Sequence, residues 1–186
     1  MSLHLLENLN ETKSEPSSIA SHSTAMPPCR LVLFYEDQDS KNRAERLVAN
    51  LKRLFTFEIQ IEESWWKLSV LGHRLMRELA VADAINADLL LFSFGASNEL
   101  SEDLIGFNQT WTSHRTKNDG LLAIQLENTT GDTTDALRKY FRELAKRTKL
   151  DYLATETEDD FLPDPRELVS LTQRVRPQFH PDVLLV

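Results

Sequence analysis

From Cys29 onward, short apolar runs alternate with amphipathic stretches. The run "RLVLFY" has no helical phase and predicts a buried strand. In "SKNRAERLVANLKRLF", Ala44, Leu47, Val48, Leu51, Leu54 and Phe55 share one helical face, with Asp39 or Ser40 as the cap. "FEIQIEES" alternates Phe57, Ile59 and Ile61 with Glu58, Gln60 and Glu62, which predicts a strand with one wetter face at a sheet edge. "SWWKLSVLG" fits neither period. "HRLMRELAVADAINA" reads as a helix with Leu75, Leu79, Ala82 and Ile85 inward, and "DLLLFSFG" as the most plainly buried strand. "SEDLIGFNQTWTSHR" is a helix capped by Ser101, with Leu104, Phe107 or Asn108, and Trp111 inward. A fourth strand, "GLLAIQLE", precedes a helix with Leu137, Tyr140, Phe141 and Leu144 on one face. A short fifth strand, "LDYLAT", closes the series.

Strands alternating with crossover helices imply an α/β fold of three layers: a doubly wound, five-stranded parallel sheet in the flavodoxin-like order 2-1-3-4-5. The expected domain spans residues 29–156. Residues 1–28, rich in Ser, Thr, Asn, Glu and Pro, have little to bury and are expected to form a disordered arm. Within them, "LHLLENL" reads either as part of that leader or as an apolar turn that binds something. Residues 157–186 hold four of the seven prolines and one short helical stretch around Pro165 to Arg174, and read as a C-terminal extension.

Composition narrows the function classes. Of 186 residues, 29 are acidic and 21 are Lys or Arg, a formal charge of −8, which argues against a nucleic-acid groove and against attachment to anionic membrane. The single cysteine, Cys29, forms no internal disulfide and no cysteine-based zinc site. No segment approaches the roughly 20 apolar residues of a membrane span, and no signal peptide is apparent, so a cytoplasmic setting is expected.

In an open parallel sheet, ligands bind at the carboxyl ends of the strands, near the point where strand order reverses. That rim collects Glu36, Asp37 and Asp39 after strand one, Ser93, Gly95 and Ser97 after strand three, and Glu127 after strand four. Glu36 and Asp37 are the candidates for a divalent cation, because hard cations take carboxylate oxygens. The simpler reading of the acidic cluster is a strand end followed by a helix cap. A phosphate cradle needs glycines before a helix, yet the chain has five glycines and neither a G-x-G-x-x-G nor a Walker motif. Acids in the first loop would repel a phosphate. No cofactor is therefore expected, with Mg²⁺ as the alternative. His4, His22, His73, His114 and His180 have no partner at metal-ligand spacing, and "FSFGAS" is not a serine-nucleophile elbow.

With Glu36 and Asp37 after strand one, and "DLLLFS" placing Ser93 where an acceptor aspartate would stand, the chain resembles a receiver domain of two-component signalling. The resemblance implies a pseudo-receiver. The acceptor is replaced by Ser93, and the lysine that would end strand five is replaced by Thr155 and Glu156. Phe34-Tyr35-Glu36-Asp37, the Trp65-Trp66 pair, Asp88 to Gly95, Glu99 to Trp111 and Asp151-Tyr152 together resemble an uncharacterised bacterial family of small Rossmann-like proteins. That resemblance implies fold and setting, and no catalytic residue.

These readings lead to an expected non-enzymatic regulatory or protein-interaction module. Its protein partner, or a second copy in a homodimer, would contact the rim, the Trp65 and Trp66 segment or the terminal extensions. The alternative is a small metal-dependent enzyme or small-molecule binder using the acidic rim after strand one.

Overall fold

The computed structural model describes residues 28–54, 60–96, 100–127 and 131–155. Five strands, β1 (Cys29–Tyr35), β2 (Ile61–Lys67), β3 (Leu89–Ser93), β4 (Leu121–Gln125) and β5 (Asp151–Thr155), alternate with four helices, α1 (Gln38–Leu54), α2 (Arg74–Asn86), α3 (Glu102–His114) and α4 (Asp132–Thr148). All strand pairs are parallel and the order is β2-β1-β3-β4-β5, so the chain reverses direction across the sheet between β1 and β3. This is the flavodoxin-like order that the alternation of runs predicts.

Strand parity divides the core. Leu31, Leu33, Leu91 and Ala123 pack under α1 with Ala44, Leu47, Val48 and Leu51. Val32, Phe34, Leu90, Phe92, Leu122 and Ile124 face α2, α3 and α4. The second layer is aromatic. Phe34 stacks on Phe92 with ring centroids 4.7 Å apart, and Phe92 meets Phe141 of α4 at the same distance. Such pairs add about 0.5–1.5 kcal/mol beyond their burial. Leu104, Phe107, Asn108 and Trp111 of α3 are all buried, so both residues offered for the inward position are inside; Trp111 Nε1 donates to Asn108 Oδ1 at 2.8 Å.

Two elements depart from expectation. The second strand begins at Ile61 and runs through both tryptophans, pairing Trp65 with Leu33 and Trp66 with Phe34. Phe57 and Ile59, placed in it from the sequence, lie outside the described residues. In α2 the inward face is Ala80, Val81 and Ala84, while Leu75 is 73% exposed, Met76 45% and Leu79 55%. The alternation of apolar residues around α2 leaves more than one stripe. The small-residue face wins because it lets the helix sit close to the large rings of Phe34, Phe107 and Trp111. The arm expected at residues 1–28 lies outside the described residues apart from Pro28, and so does the extension expected at 157–186.

At the amino ends of the strands, Arg115 ties three segments together. Its Nη1 donates to the carbonyls of Ala84 and Ile85, its Nη2 to those of Ala87 and Asp119, and its Nε to that of Lys117. The α2 carbonyls are those that a helix leaves unsatisfied at its C-terminus. Nearby, Gly120 adopts φ +121°, a left-handed conformation in which a Cβ would also strike the Asp88 carbonyl.

Candidate functional site

The carboxyl ends of β1, β3, β4 and β5 carry one polar row on the α1 face. Register places Tyr35 beside Ser93, Ser93 beside Gln125, and Gln125 beside Thr155. Each ends a strand whose preceding residue on that face is apolar, so the row marks the edge of the core.

The loop after β1 is closed by hydrogen bonds to itself. Asp37 precedes α1 and caps it: Asp37 Oδ1 accepts the Ser40 amide at 2.8 Å. In return Ser40 Oγ accepts the amides of Asp37 (2.9 Å) and Glu36 (3.1 Å). This reciprocal arrangement is a capping box. It corrects the expected cap: Asp37 holds the position, fully buried Ser40 is its partner inside the first turn, and exposed Asp39 stands in that turn, where a negative charge suits the helix dipole. The amides of Ser40 and Asp39 hold the Asp37 carboxyl below the usual carboxylate range, with Arg43 nearby adding to the effect and partial burial opposing it.

Glu36 reaches across the switch point. Its Oε2 accepts the Gly95 amide at 2.7 Å, and its own amide donates to the Ser93 carbonyl at 3.1 Å. Asp37 lies against the same glycine, where any Cβ would overlap its carboxylate. The absence of a Cβ at Gly95 thus leaves room for the Asp37 carboxylate beside the amide that Glu36 binds, which is a use of glycine distinct from phosphate cradling.

Ser93 is fully buried. Its Oγ lies 2.9 Å from the Ser40 carbonyl and 3.0 Å from the Gln125 side-chain oxygen. One hydroxyl hydrogen serves one of these well. The count closes when it goes to the Ser40 carbonyl and the Gln125 amide presents its NH₂ to Ser93, which turns the Gln125 carbonyl oxygen away. With either orientation one polar end of Gln125, only 1% exposed, lacks a partner, and so does Thr155 Oγ1 on a residue 2% exposed. Buried polar atoms without partners are uncommon and mark places where a ligand or water completes the set.

Arg43 is the cation of the rim. From α1 its Nη2 donates to the Phe94 carbonyl, and Nη1 lies 3.8 Å from Glu127 Oε2. Arg43 and Gln125 were not singled out from the sequence, where the only signal was a polar residue on a face that periodicity assigns to the core; Ser40 was offered there only as a helix cap. Of the residues that were, Glu36, Asp37, Ser93, Gly95 and Glu127 converge here, Asp39 points to solvent, and Ser97 lies outside the described residues.

The metal reading of Glu36 and Asp37 finds one oxygen of each already taken by a backbone amide. Among the described residues, no group of three or more His, Cys, Asp or Glu side chains is arranged to hold a metal ion. Trp65 and Trp66 are half-buried on opposite faces, their indole N–H groups donating to Glu63 and Asp83 at 3.0 Å each. Among the described residues no helix is long and apolar enough to cross a membrane.

No known family model matches the chain, and no curated protein matches it in sequence. Solved structures do resemble it. An oxidoreductase from Corynebacterium diphtheriae aligns with a TM-score of 0.52 at 14% identity, covering 80% of this chain and 91% of that one. A Megasphaera elsdenii flavodoxin aligns at 0.43 and 14% identity, covering 70% and 89%. General stress protein 14 of Treponema denticola, solved in complex with FMN, aligns at 0.41 and 13% identity, covering 80% and 100%. The first of these alignments, together with the strand order, supports a flavodoxin-like fold, and none lends anything to the receiver likeness or to an uncharacterised family. They also correct two expectations. The expected non-enzymatic regulatory module and the expected absence of a cofactor are set aside, since the neighbour aligning above a TM-score of 0.5 is described as an oxidoreductase; at 14% identity the likeness itself shows the fold alone.

The flavodoxin-like strand order makes FMN the group to test against the residues present. In this strand order the flavin sits at the β1/β3 switch point, and a phosphate is best held by free amides at a helix N-terminus. Here the amides of Glu36, Asp37 and Ser40 are used within the capping box and that of Gly95 is used by Glu36. Three carboxylates, Glu36, Asp37 and Glu127, face one guanidinium, Arg43. A phosphate group does not fit this loop as it is arranged.

Proposed function

We propose that the chain is a small-molecule-binding protein of the flavodoxin-like type, with its ligand seated at the carboxyl ends of β1, β3 and β4. The ligand offers hydrogen-bond donors or positive charge to the rim and carries no phosphate there. The observation that carries this reading is the Glu36 carboxylate on the Gly95 amide, with Asp37 beside it, filling the place an anionic ligand group would need. The unpartnered ends of Gln125 and Thr155, buried along the same row, support a polar ligand over a purely apolar one.

The neighbours make a flavin the first ligand class to try, and the acidic loop favours the form without phosphate. Titration of the protein with riboflavin and with FMN, followed by flavin fluorescence, separates the two. The expected result is binding of riboflavin at least about tenfold tighter than FMN, a difference of about 1.4 kcal/mol. The gap should narrow in Glu36→Gln. Tighter binding of FMN would overturn the reading. So would the absence of any melting shift with riboflavin and with a panel of amines and amides.

A further inference from the structure

The polar row at the sheet edge is complete at one end and open at the other. Toward β1 it is closed. Ser93 Oγ joins the Ser40 carbonyl to the Gln125 side-chain amide, and the Ser93 carbonyl accepts the Glu36 amide. Toward β5 nothing continues it. Gln125 is 1% exposed and Thr155 2%, and register sets them side by side on adjacent strands. Yet one end of the Gln125 amide and the Thr155 hydroxyl have no hydrogen-bond partner, not even each other. With the Gln125 NH₂ assigned to Ser93, the unpartnered end is the carbonyl oxygen. The open end of the row is thus one acceptor beside one hydroxyl.

The chemistry of that pair selects what can complete it. A carboxylate brings acceptors only and leaves the Gln125 oxygen bare. An ammonium group brings donors only and leaves the Thr155 proton without a taker. A buried water brings both, but such waters make about three hydrogen bonds, and this end of the row offers two unsatisfied side-chain groups. An amide or imide edge, with N–H next to C=O, brings one donor and one acceptor on neighbouring atoms. Adjacent strands lie about 4.8 Å apart, a span that such an edge bridges. Both residues are the last of their strands, so on the α1 face an edge arriving from the carboxyl side meets them before the apolar Ala123 and Leu153.

We propose that Gln125 and Thr155 are the specificity-determining residues of the rim, and that they read an amide or imide edge of its ligand. The ligand N–H donates to the Gln125 carbonyl, and the Thr155 hydroxyl donates to the adjoining ligand C=O. The proposal rests on the reading of the rim as a small-molecule site and narrows its ligand class from polar molecules to those with N–H beside C=O. It also carries a signature in the free protein. A buried hydroxyl without a partner is worse for stability than a methyl group of the same shape. Thr155→Val should therefore raise the melting midpoint of the free protein, by roughly 3–6 °C, while it removes a donor that the ligand needs. Stability gained as binding is lost marks a residue kept for a ligand.

Titration of the full chain with riboflavin and with 3-methylriboflavin, followed by flavin fluorescence, tests this. Methylation replaces the imide N–H and leaves the rest of the ring system. The wild type should bind riboflavin about tenfold tighter than the methylated form, and the preference should vanish in Gln125→Leu. Thr155→Val should weaken riboflavin about tenfold, and Thr155→Ser, which keeps the hydroxyl, should bind close to the wild type. Equal binding of the two flavins by the wild type overturns the proposal and leaves the small-molecule reading of the rim standing. Binding of neither flavin overturns it too, and the small-molecule reading then falls only if the amine and amide panel also fails. A melting midpoint lowered by Thr155→Val shows a hydroxyl already satisfied by a buried water, and overturns the proposal as well.

Discussion

Replacing Ser40 with alanine isolates what the loop after β1 contributes to stability. Ser40 is fully buried, and its Oγ accepts two amides and donates to the Asp37 carbonyl at 3.0 Å. On removal of the hydroxyl, the Glu36 amide keeps the Ser93 carbonyl, so the loss falls on the Asp37 amide. An orphaned, part-buried donor costs about 1–3 kcal/mol. A broken helix cap costs about 1 kcal/mol by itself, and the two descriptions overlap because they count the same bond. The expectation is therefore a loss of about 2 kcal/mol. For a domain of this size that corresponds to a fall of roughly 6–10 °C in melting midpoint. Urea unfolding followed by tryptophan fluorescence measures it, with an unchanged m-value as the sign that only stability moved. Asp39→Ala is the internal control, since Asp39 is exposed in the first turn and its dipole interaction is worth less than about 1 kcal/mol. If Ser40→Ala stays within about 0.5 kcal/mol of the wild type, a size usual for unremarkable surface changes, or if Asp39→Ala costs as much, the capping-box account is wrong.

Other outcomes follow from the same geometry. The Asp37 carboxyl titrates below its unfolded value of 3.8, so its stabilisation is complete above that pH and is lost as pH falls through the folded value; Asp37→Asn should flatten this acid limb in pH-dependent urea melts. Gly95→Ala forces its Cβ onto the Asp37 carboxylate and should destabilise, and the loss should shrink in an Asp37→Ala background, which a double-mutant cycle reads directly. Leu79→Ser, at an exposed site, should change stability by less than about 0.5 kcal/mol, whereas Leu71→Ala, at a fully buried one, should cost about 2–5 kcal/mol. Burial and the neighbouring Asp88 push the Cys29 thiol up to about 11, so alkylation by iodoacetamide at neutral pH should be far slower than for a free thiol and should accelerate in urea.

The sheet was legible because its strands are short apolar runs with nothing of helical period in them, and because parallel order follows from the alternation of elements. The buried faces of α1 and α4 were legible for a related reason: Ala44, Leu47, Val48 and Leu51, and Leu137, Phe141 and Leu144, each stand alone as the apolar stripe of a charged helix. In α2 that logic failed. Alanines and leucines compete around the helix, and the choice between them rests on the space left by Phe34, Phe107 and Trp111, which no local window contains. β2 was misplaced because Trp65 and Trp66 continue the strand while facing opposite layers, a pattern that alternation of polarity cannot reveal. At the rim, the location of Glu36, Asp37, Ser93, Gly95 and Glu127 followed from topology alone. Their partners did not. Arg43 and Gln125 are polar residues on core-facing positions, and the exchange between Asp37 and Ser40 depends on backbone geometry. The expectation of no cofactor came from a glycine count, and a glycine count bears on phosphates, not on every ligand of the fold.

Arg115 has a consequence for how the molecule opens. One guanidinium holds the end of α2, the turn into β3 and the loop between α3 and β4. None of these segments can detach without leaving a half-buried guanidinium and its carbonyl partners bare. The stretch from α2 through the start of β4 should therefore breathe as a single cooperative unit, rather than fray segment by segment. At the opposite, carboxyl edge the ties between the β1–α1 segment and the end of β3 run largely through the side chains of Glu36, Arg43 and Ser93, so a ligand that takes over those bonds can open the rim while that unit stays closed.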